Sequence, residues 1–165
     1  MPLVIVDTNV AVVANGAASQ VNRACVMRCL QELVATRDER QLLLDDVGLI
    51  LDEYLKRKPH GFPQGPGDAF FVWVHDNQAN PSRISSITIT PLINDPREFA
   101  EFPDDAELEA FDRDDKKFVA VALASGRTPP ILNATDTDWW IHRAALTRNG
   151  IRVEFLCPEL MKDKK

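Results

Sequence analysis

Apolar residues in this chain recur in two rhythms, and each predicts a different element. Leu3 to Val6 is apolar without interruption, as in a strand buried on both faces. Shorter apolar runs predict further strands at Gln41 to Leu44, Ile131 to Leu132 and Ile151 to Leu156, and "ISSITITPL" alternates in the manner of another. Between these runs the spacing turns helical. From about Gln20 to Arg37, Val21, Cys25, Met27, Leu30, Leu33 and Val34 fall on one stripe, with Arg23, Arg28, Glu32 and Arg37 interleaved. Helices are also predicted over Val47 to Lys58, with Leu51 and Leu55 inward, and over Asp68 to Gln78, with Asp68 as N-cap. Two more run from Asp112 to Ser125, stopping at Gly126, and from Asp136 to Asn149, stopping at Gly150.

Turn-forming residues punctuate this order. Asn15, Gly16 and Ser19 mark a turn after the first strand, "PHGFPQGPG" at Pro59 to Gly67 is a connector, and acidic, proline-punctuated Asn94 to Asp105 reads as a surface loop. Strands alternating with helices imply an α/β protein whose central, mostly parallel sheet is covered on both faces, a three-layer α/β/α sandwich. The expected division is a single domain over 1–158 and a flexible tail over 159–165.

Composition sets limits on this picture. With 165 residues, 45% of them hydrophobic, the chain has the apolar content for one sizeable core and not for two. No apolar stretch has the length of a bilayer span, so no membrane role is expected. The three cysteines, Cys25, Cys29 and Cys157, are odd in number and lack CxxC spacing; they read as core residues of a protein in the reducing cytoplasm. A net charge of -6 argues against a nucleic-acid partner unless several acids cluster around a divalent cation, which would reverse the local sign.

Acids do recur where such a cluster would form. Asp7 follows the first strand and Asp136 the strand at Ile131 to Leu132, so both fall at the carboxyl edge of the sheet, where parallel sheets place their sites. Glu53 lies on the helix after the second strand, and Asp115 in the first turns of the helix after the acidic loop. Asp115 is preferred to Asp112 because its spacing to Phe118, Val119 and Ala122 sets it on the inward edge. Each acid taken singly has a plain explanation, since Asp7 and Asp136 suit helix N-caps and Glu53 suits a solvated helix face. Together they repel unless protonated or bridged by a cation, and an oxygen-only set points to Mg²⁺ or Mn²⁺.

The order "VDTN", "LDEYLKR", "DDKKFVAVALA" and "TDTDWW" resembles that of a PIN-domain nuclease over nearly the whole chain. The resemblance implies a PIN-like sandwich in which Asp7, Glu53, Asp115 and Asp136 are catalytic and bind Mg²⁺ or Mn²⁺, with Asp138 as a further ligand. It gives Asn9 the orientation of Asp7 or of the attacking water, and Thr8 the bracing of the turn. The activity it implies is endoribonuclease hydrolysis by a metal-activated water on single-stranded or structured RNA. A small antitoxin partner, as in toxin-antitoxin modules, and a homodimer are further implied partners, with a defence or RNA-processing nuclease as the other role the family implies; a PIN-like module that binds nucleic acid or protein without cutting is the alternative. Lys56, Arg57, Arg113, Lys116, Lys117 and Arg143 flank the acids and are the candidate phosphate contacts. Trp139 and Trp140 read as one core anchor and one rim residue, and His142 as a surface histidine. A haloacid-dehalogenase-type phosphatase is disfavoured, because its second acid would fall at Asn9.

Overall fold

Strand β1 (Leu3–Val6) begins the chain in a computed structural model that describes residues 1–16, 18, 21–57 and 63–162. It leads through α1 (Thr8–Ala14) and α2 (Arg23–Glu39) to β2 (Gln41–Asp45), and then through α3 (Leu49–Arg57) and α4 (Pro66–Asn77) to β3 (Ile84–Ile87). A long connection carrying short 3-10 turns at Ala106–Leu108 and Arg113–Asp115 reaches α5 (Lys116–Ser125) and β4 (Pro130–Asn133). The chain continues through α6 (Thr137–Ile141) and α7 (Arg143–Arg148) to β5 (Arg152–Phe155) and a 3-10 turn at Pro158–Leu160. No helix among the described residues is long and apolar enough to cross a membrane.

The strands form one sheet in the order β3-β2-β1-β4-β5, and every pairing is parallel. From β1 the chain first moves outward through β2 to β3, then crosses back to β4 and on to β5. Right-handed crossovers in opposite directions put their helices on opposite faces. Accordingly α1 and α4 contact each other and both α2 and α3, while α5 packs against β2, β3 and β4 and also meets α3. The result is the three-layer α/β/α sandwich. Its direction of winding reverses between β1 and β4, and their carboxyl ends open the crevice in which such sheets hold their ligands.

The core follows from the sequence pattern. Val4, Ile5, Val6, Leu42, Leu43, Ile131 and Leu132 are buried in the sheet's centre, as uninterrupted apolar strands require. Phe118, Val119, Ala120, Val121 and Ala122 make α5 buried almost all round, and Gly126 ends it in the left-handed conformation, φ 66°, where glycine carries no steric penalty.

Several expectations shift. Helix α1 is not announced by the pattern, because "TNVAVVA" is too short to show a period and rich in β-branched residues. In α3 the fully buried pair is Ile50 and Tyr54, with Leu51 and Leu55 half-buried, so the helix is rotated by about one residue from the expected face. Of "ISSITITPL" only Ile84 to Ile87 pairs in the sheet; beyond it Ile89 N–H donates to Asp46 Oδ1 at 3.1 Å. The acidic loop is not wholly at the surface, because Phe99 is buried and bridges to Pro91. The helix expected over Asp136 to Asn149 breaks at His142 into α6 and α7.

Asp68 is not an N-cap. It is buried in the first turn of α4, accepting from Asn15 Nδ2 at 2.9 Å and from Gln64 N at 2.9 Å. Asn15 Oδ1 in turn accepts from Gly67 N at 2.8 Å and Asp68 N at 3.1 Å, so the end of α1 caps the start of α4. The cysteines are all buried as expected, but Cys25 and Cys157 form a disulfide, with Cα atoms 5.5 Å apart, and only Cys29 is free. Two of them are therefore not simple core thiols, and the argument from cysteine usage to a reducing compartment loses its premise. The segment expected to be a tail is packed as far as Met161: Glu159 pairs with Arg28 and Met161 is buried. Ser19, Gln20, Lys58 to Phe62 and Asp163 to Lys165 lie outside the described residues.

The contact between α1 and α4 leaves room for no side chain at Gly67. A Cβ there would stand 1.9 Å from the Ala11 carbonyl oxygen and 2.6 Å from its carbon, both backbone atoms. Gly67→Ala is expected to destabilise the fold by about 2–3 kcal/mol, read as a lower urea midpoint, because two helices must part to admit one methyl group.

Candidate metal centre

Two strand ends and one helix start build the site. β1 ends with Asp7 N–H donating to Leu132 O at 3.0 Å, which locks it to β4 across the crevice. The chain then turns into α1, with Asp7 as its N-cap. On the other side β4 ends at Asn133, and Asp136 caps α6 by accepting from Asp138 N at 2.9 Å. The third acid, Asp115, comes from the last 3-10 turn before α5, where Asp112 Oδ1 accepts from Asp114 N and tightens the approach. Capping and site-building are thus not rival roles: Asp7 and Asp136 do both.

Oxygens of Asp7, Asp115 and Asp136 all lie within 4.8 Å of one another. Asp7 is 3% and Asp115 8% exposed, and Asp136 is half-buried. Burial is the first cause that pushes all three carboxyls up, because a charge loses its hydration there; neighbouring acids are the second for Asp7 and Asp115. Asp7 is raised to about 8, with Asp136 and Glu53 as the repelling charges, and Asp115 to about 9, with Asp7 and Asp136 foremost. This oxygen-only donor set, anionic only when a cation repays the charge, can hold a hard divalent ion such as Mg²⁺ or Mn²⁺.

The other predicted site residues take different places. Glu53 does not join the trio within that span; its Oε1 accepts from Lys117 Nζ at 2.9 Å and its Oε2 from the Thr8 hydroxyl. Thr8 therefore braces α3 against α1 through Glu53. Asp138 turns aside, accepting from Asp112 N at 2.8 Å and lying 3.3 Å from His142 Nδ1. Asn9 reaches Asp7 by its backbone N–H, at 3.4 Å, while its side-chain oxygen accepts from Ala134 N at 3.1 Å and so ties α1 to the end of β4.

The candidate phosphate contacts divide in the same way. Lys116 is buried against Glu98, Lys117 against Glu53, and Arg143 lies over the Trp140 ring at 4.0 Å. Arg113 is exposed and pairs with Asp95 and Glu98. Lys56 and Arg57 are exposed at the end of α3. Lys56, Arg97, Arg113 and Lys117 line a cleft of about 390 Å³ that also touches Glu53. Trp139 is the buried anchor, its ring edge-on to Phe111, and Trp140 packs against Phe155. His142 is half-buried on Phe111, not a surface residue.

Asn133 is the residue beside the three aspartates that the pattern does not single out. Fully buried, it donates Nδ2–H to Asp7 Oδ2 at 2.7 Å and accepts from Asp136 N on Oδ1 at 3.0 Å, linking two of the three acids. Its one trace in the sequence is an amide ending the apolar run "PILN", where a buried strand would otherwise carry another aliphatic residue. Tyr54 supports the same corner from beneath, its buried hydroxyl donating to Val6 O.

The raised carboxyls fix the sign of a pH dependence. Asp7 and Asp115 hold protons in the folded state up to about 8 and about 9, whereas the unfolded chain releases them near the ordinary value of 3.8. Between those limits the folded state binds more protons, so its stability falls as pH rises. Without divalent ions, the thermal midpoint is expected to drop steadily from pH 5 to pH 9, and Asp115→Asn to flatten that slope.

Comparison of the chain with models of protein families, with curated proteins and with solved structures finds no match, so the case for a function rests on the geometry of the three aspartates.

Proposed function

We propose that this protein is a metal-dependent nuclease of the PIN-domain type, an endoribonuclease that uses Mg²⁺ or Mn²⁺. The observation that carries the reading is the convergence of Asp7, Asp115 and Asp136 at the winding reversal of the sheet, the first two buried and all three too close to be charged together without a cation. Asp7, Asp115 and Asp136 would hold the divalent ion, which when bound would lower the pKa of a water and offset charge on the phosphodiester.

The chain's own residues hold and orient. Asn133 fixes the Asp7 carboxyl in one rotation and sets the turn that carries Asp136, so two acids keep their spacing without the ion. Asn9 and Thr8 anchor the first turn of α1 to β4 and to Glu53. A backbone phosphate entering beside them meets Lys56, Arg97 and Arg113, whose charges offset the protein's net charge of -6 locally.

Two measurements test the reading. Adding Mn²⁺ in large excess over its Kd is expected to raise the thermal midpoint by about 5–10 °C at pH 8. The rise should be smaller at pH 6, where Asp7 and Asp115 keep their protons and binding must displace them. Asp7→Asn should lose that rise while its metal-free form is at least as stable at pH 8 as the parent.

Cleavage of single-stranded and hairpin RNA should require the metal and fall by about 100-fold or more in Asp7→Asn and Asp115→Asn, the loss expected when a directly acting charge goes. Asp138→Asn, already engaged by Asp112 N and His142, should lose less than about tenfold. A protein that neither cuts RNA nor shifts its midpoint with Mn²⁺ overturns the proposal, and equal cutting of single-stranded DNA overturns its restriction to RNA.

A further inference from the structure

Glu53 stands apart from the three aspartates because it already has a cation. Lys117 Nζ lies 2.9 Å from its Oε1 and also donates to Asp114 O, so acceptors from two different segments fix the ammonium in place. The lysine is 8% exposed. An ammonium held that far from water needs compensating partners, and here they are the Glu53 carboxylate and the Asp114 carbonyl oxygen. Its effect reaches beyond Glu53: the charge of Lys117 opposes the burial that raises Asp7. The second oxygen of Glu53 accepts from the Thr8 hydroxyl, so neither oxygen faces the aspartates without a partner.

Two-metal hydrolytic sites place their ions about 4 Å apart, with carboxylates on both sides of the pair. In this crevice one side offers three aspartates with oxygens within 4.8 Å of one another, while on the other Asp52 and Asp114 are exposed and the half-buried carboxylate, Glu53, is already bound to an ammonium. We propose that Lys117 is a built-in cation occupying the Glu53 end of the crevice, so that the centre takes one divalent ion, on Asp7, Asp115 and Asp136, and Glu53 holds the lysine instead of a metal. The inference rests on the metal centre proposed above and adds its stoichiometry. Lys117 is then a positioning residue that fixes Glu53 and Thr8 and excludes a second ion by repulsion.

Counting bound Mn²⁺ at pH 8 by calorimetry, with the free ion followed by electron paramagnetic resonance, tests this without reference to activity. The wild-type protein is expected to bind one ion per chain, Lys117→Arg one, and Lys117→Met, which keeps the length of the side chain and removes its charge, two. Two ions on the wild-type protein, or one on a folded Lys117→Met, overturn the role given to Lys117 while leaving the metal centre intact. No ion on the wild-type protein removes the centre itself and this inference with it. Should Lys117→Met fail to fold, the wild-type and Lys117→Arg counts still decide, since two ions on either contradict the proposal.

Discussion

The hydrogen bond from Asn133 Nδ2 to Asp7 Oδ2 joins the ends of the two strands between which the sheet reverses its winding. What it holds is a buried carboxyl with too few donors to be stable as an anion. The structure contains its own control. Asp45 also ends a strand and is as deeply buried, yet its oxygens accept from the N–H groups of Gly48, Leu49 and Ile50 at 2.8, 2.9 and 2.8 Å. Three donors from a helix start satisfy that carboxylate within the fold. Asp7 receives one amide at 2.7 Å and one long backbone contact at 3.4 Å, and faces other acids. Chemically alike residues at equivalent strand ends therefore play opposite parts, one structural and closed, the other open and short of positive charge.

That shortage organises the surroundings. Asn9, Thr8, Tyr54 and Asn133 make bonds whose common effect is to fix the corner where β1 turns into α1. Burial also pushes the Tyr54 phenol well above its usual range, so it stays a neutral donor to Val6 O beside acidic neighbours. A corner this heavily braced keeps the acids together at the expense of stability, as preorganised sites generally do. The same reasoning explains why Lys117 is tolerated in the interior: it relieves part of the repulsion that the acids create.

The outer parts of the molecule are tied down differently. The Cys25–Cys157 disulfide and the Arg28–Glu159 pair fasten the end of the described chain to α2, and Arg28 also donates to Leu156 O at 2.7 Å. The acidic connection between β3 and α5 is held by ion pairs: Arg113 with Asp95 and Glu98, and Lys116 with Glu98. Of these two regions only the acidic connection contributes to the trio of aspartates, through Asp115 in its last turn.

The sequence by itself determined the sheet and the acids at its edge, because both are local signals. Uninterrupted apolar runs specify buried parallel strands, and an aspartate directly after such a run must emerge where the strand ends. It also chose Asp115 over Asp112, since helical periodicity fixes which acid shares a face with Phe118 and Ala122. Only the tertiary structure decided which acids meet. Glu53, whose charge reaches Asp7, and Asp138, close to Asp136 in sequence, still turn to Lys117, Thr8, Asp112 and His142, because each carboxylate takes the nearest partner that relieves its charge. Asn133 and the Cys25–Cys157 bond escaped the sequence for a related reason. Each is a pairing across more than 120 residues, 126 for the Asn133–Asp7 bond and 132 for the disulfide. Periodicity describes neighbours along the chain and carries no information about what folding brings face to face.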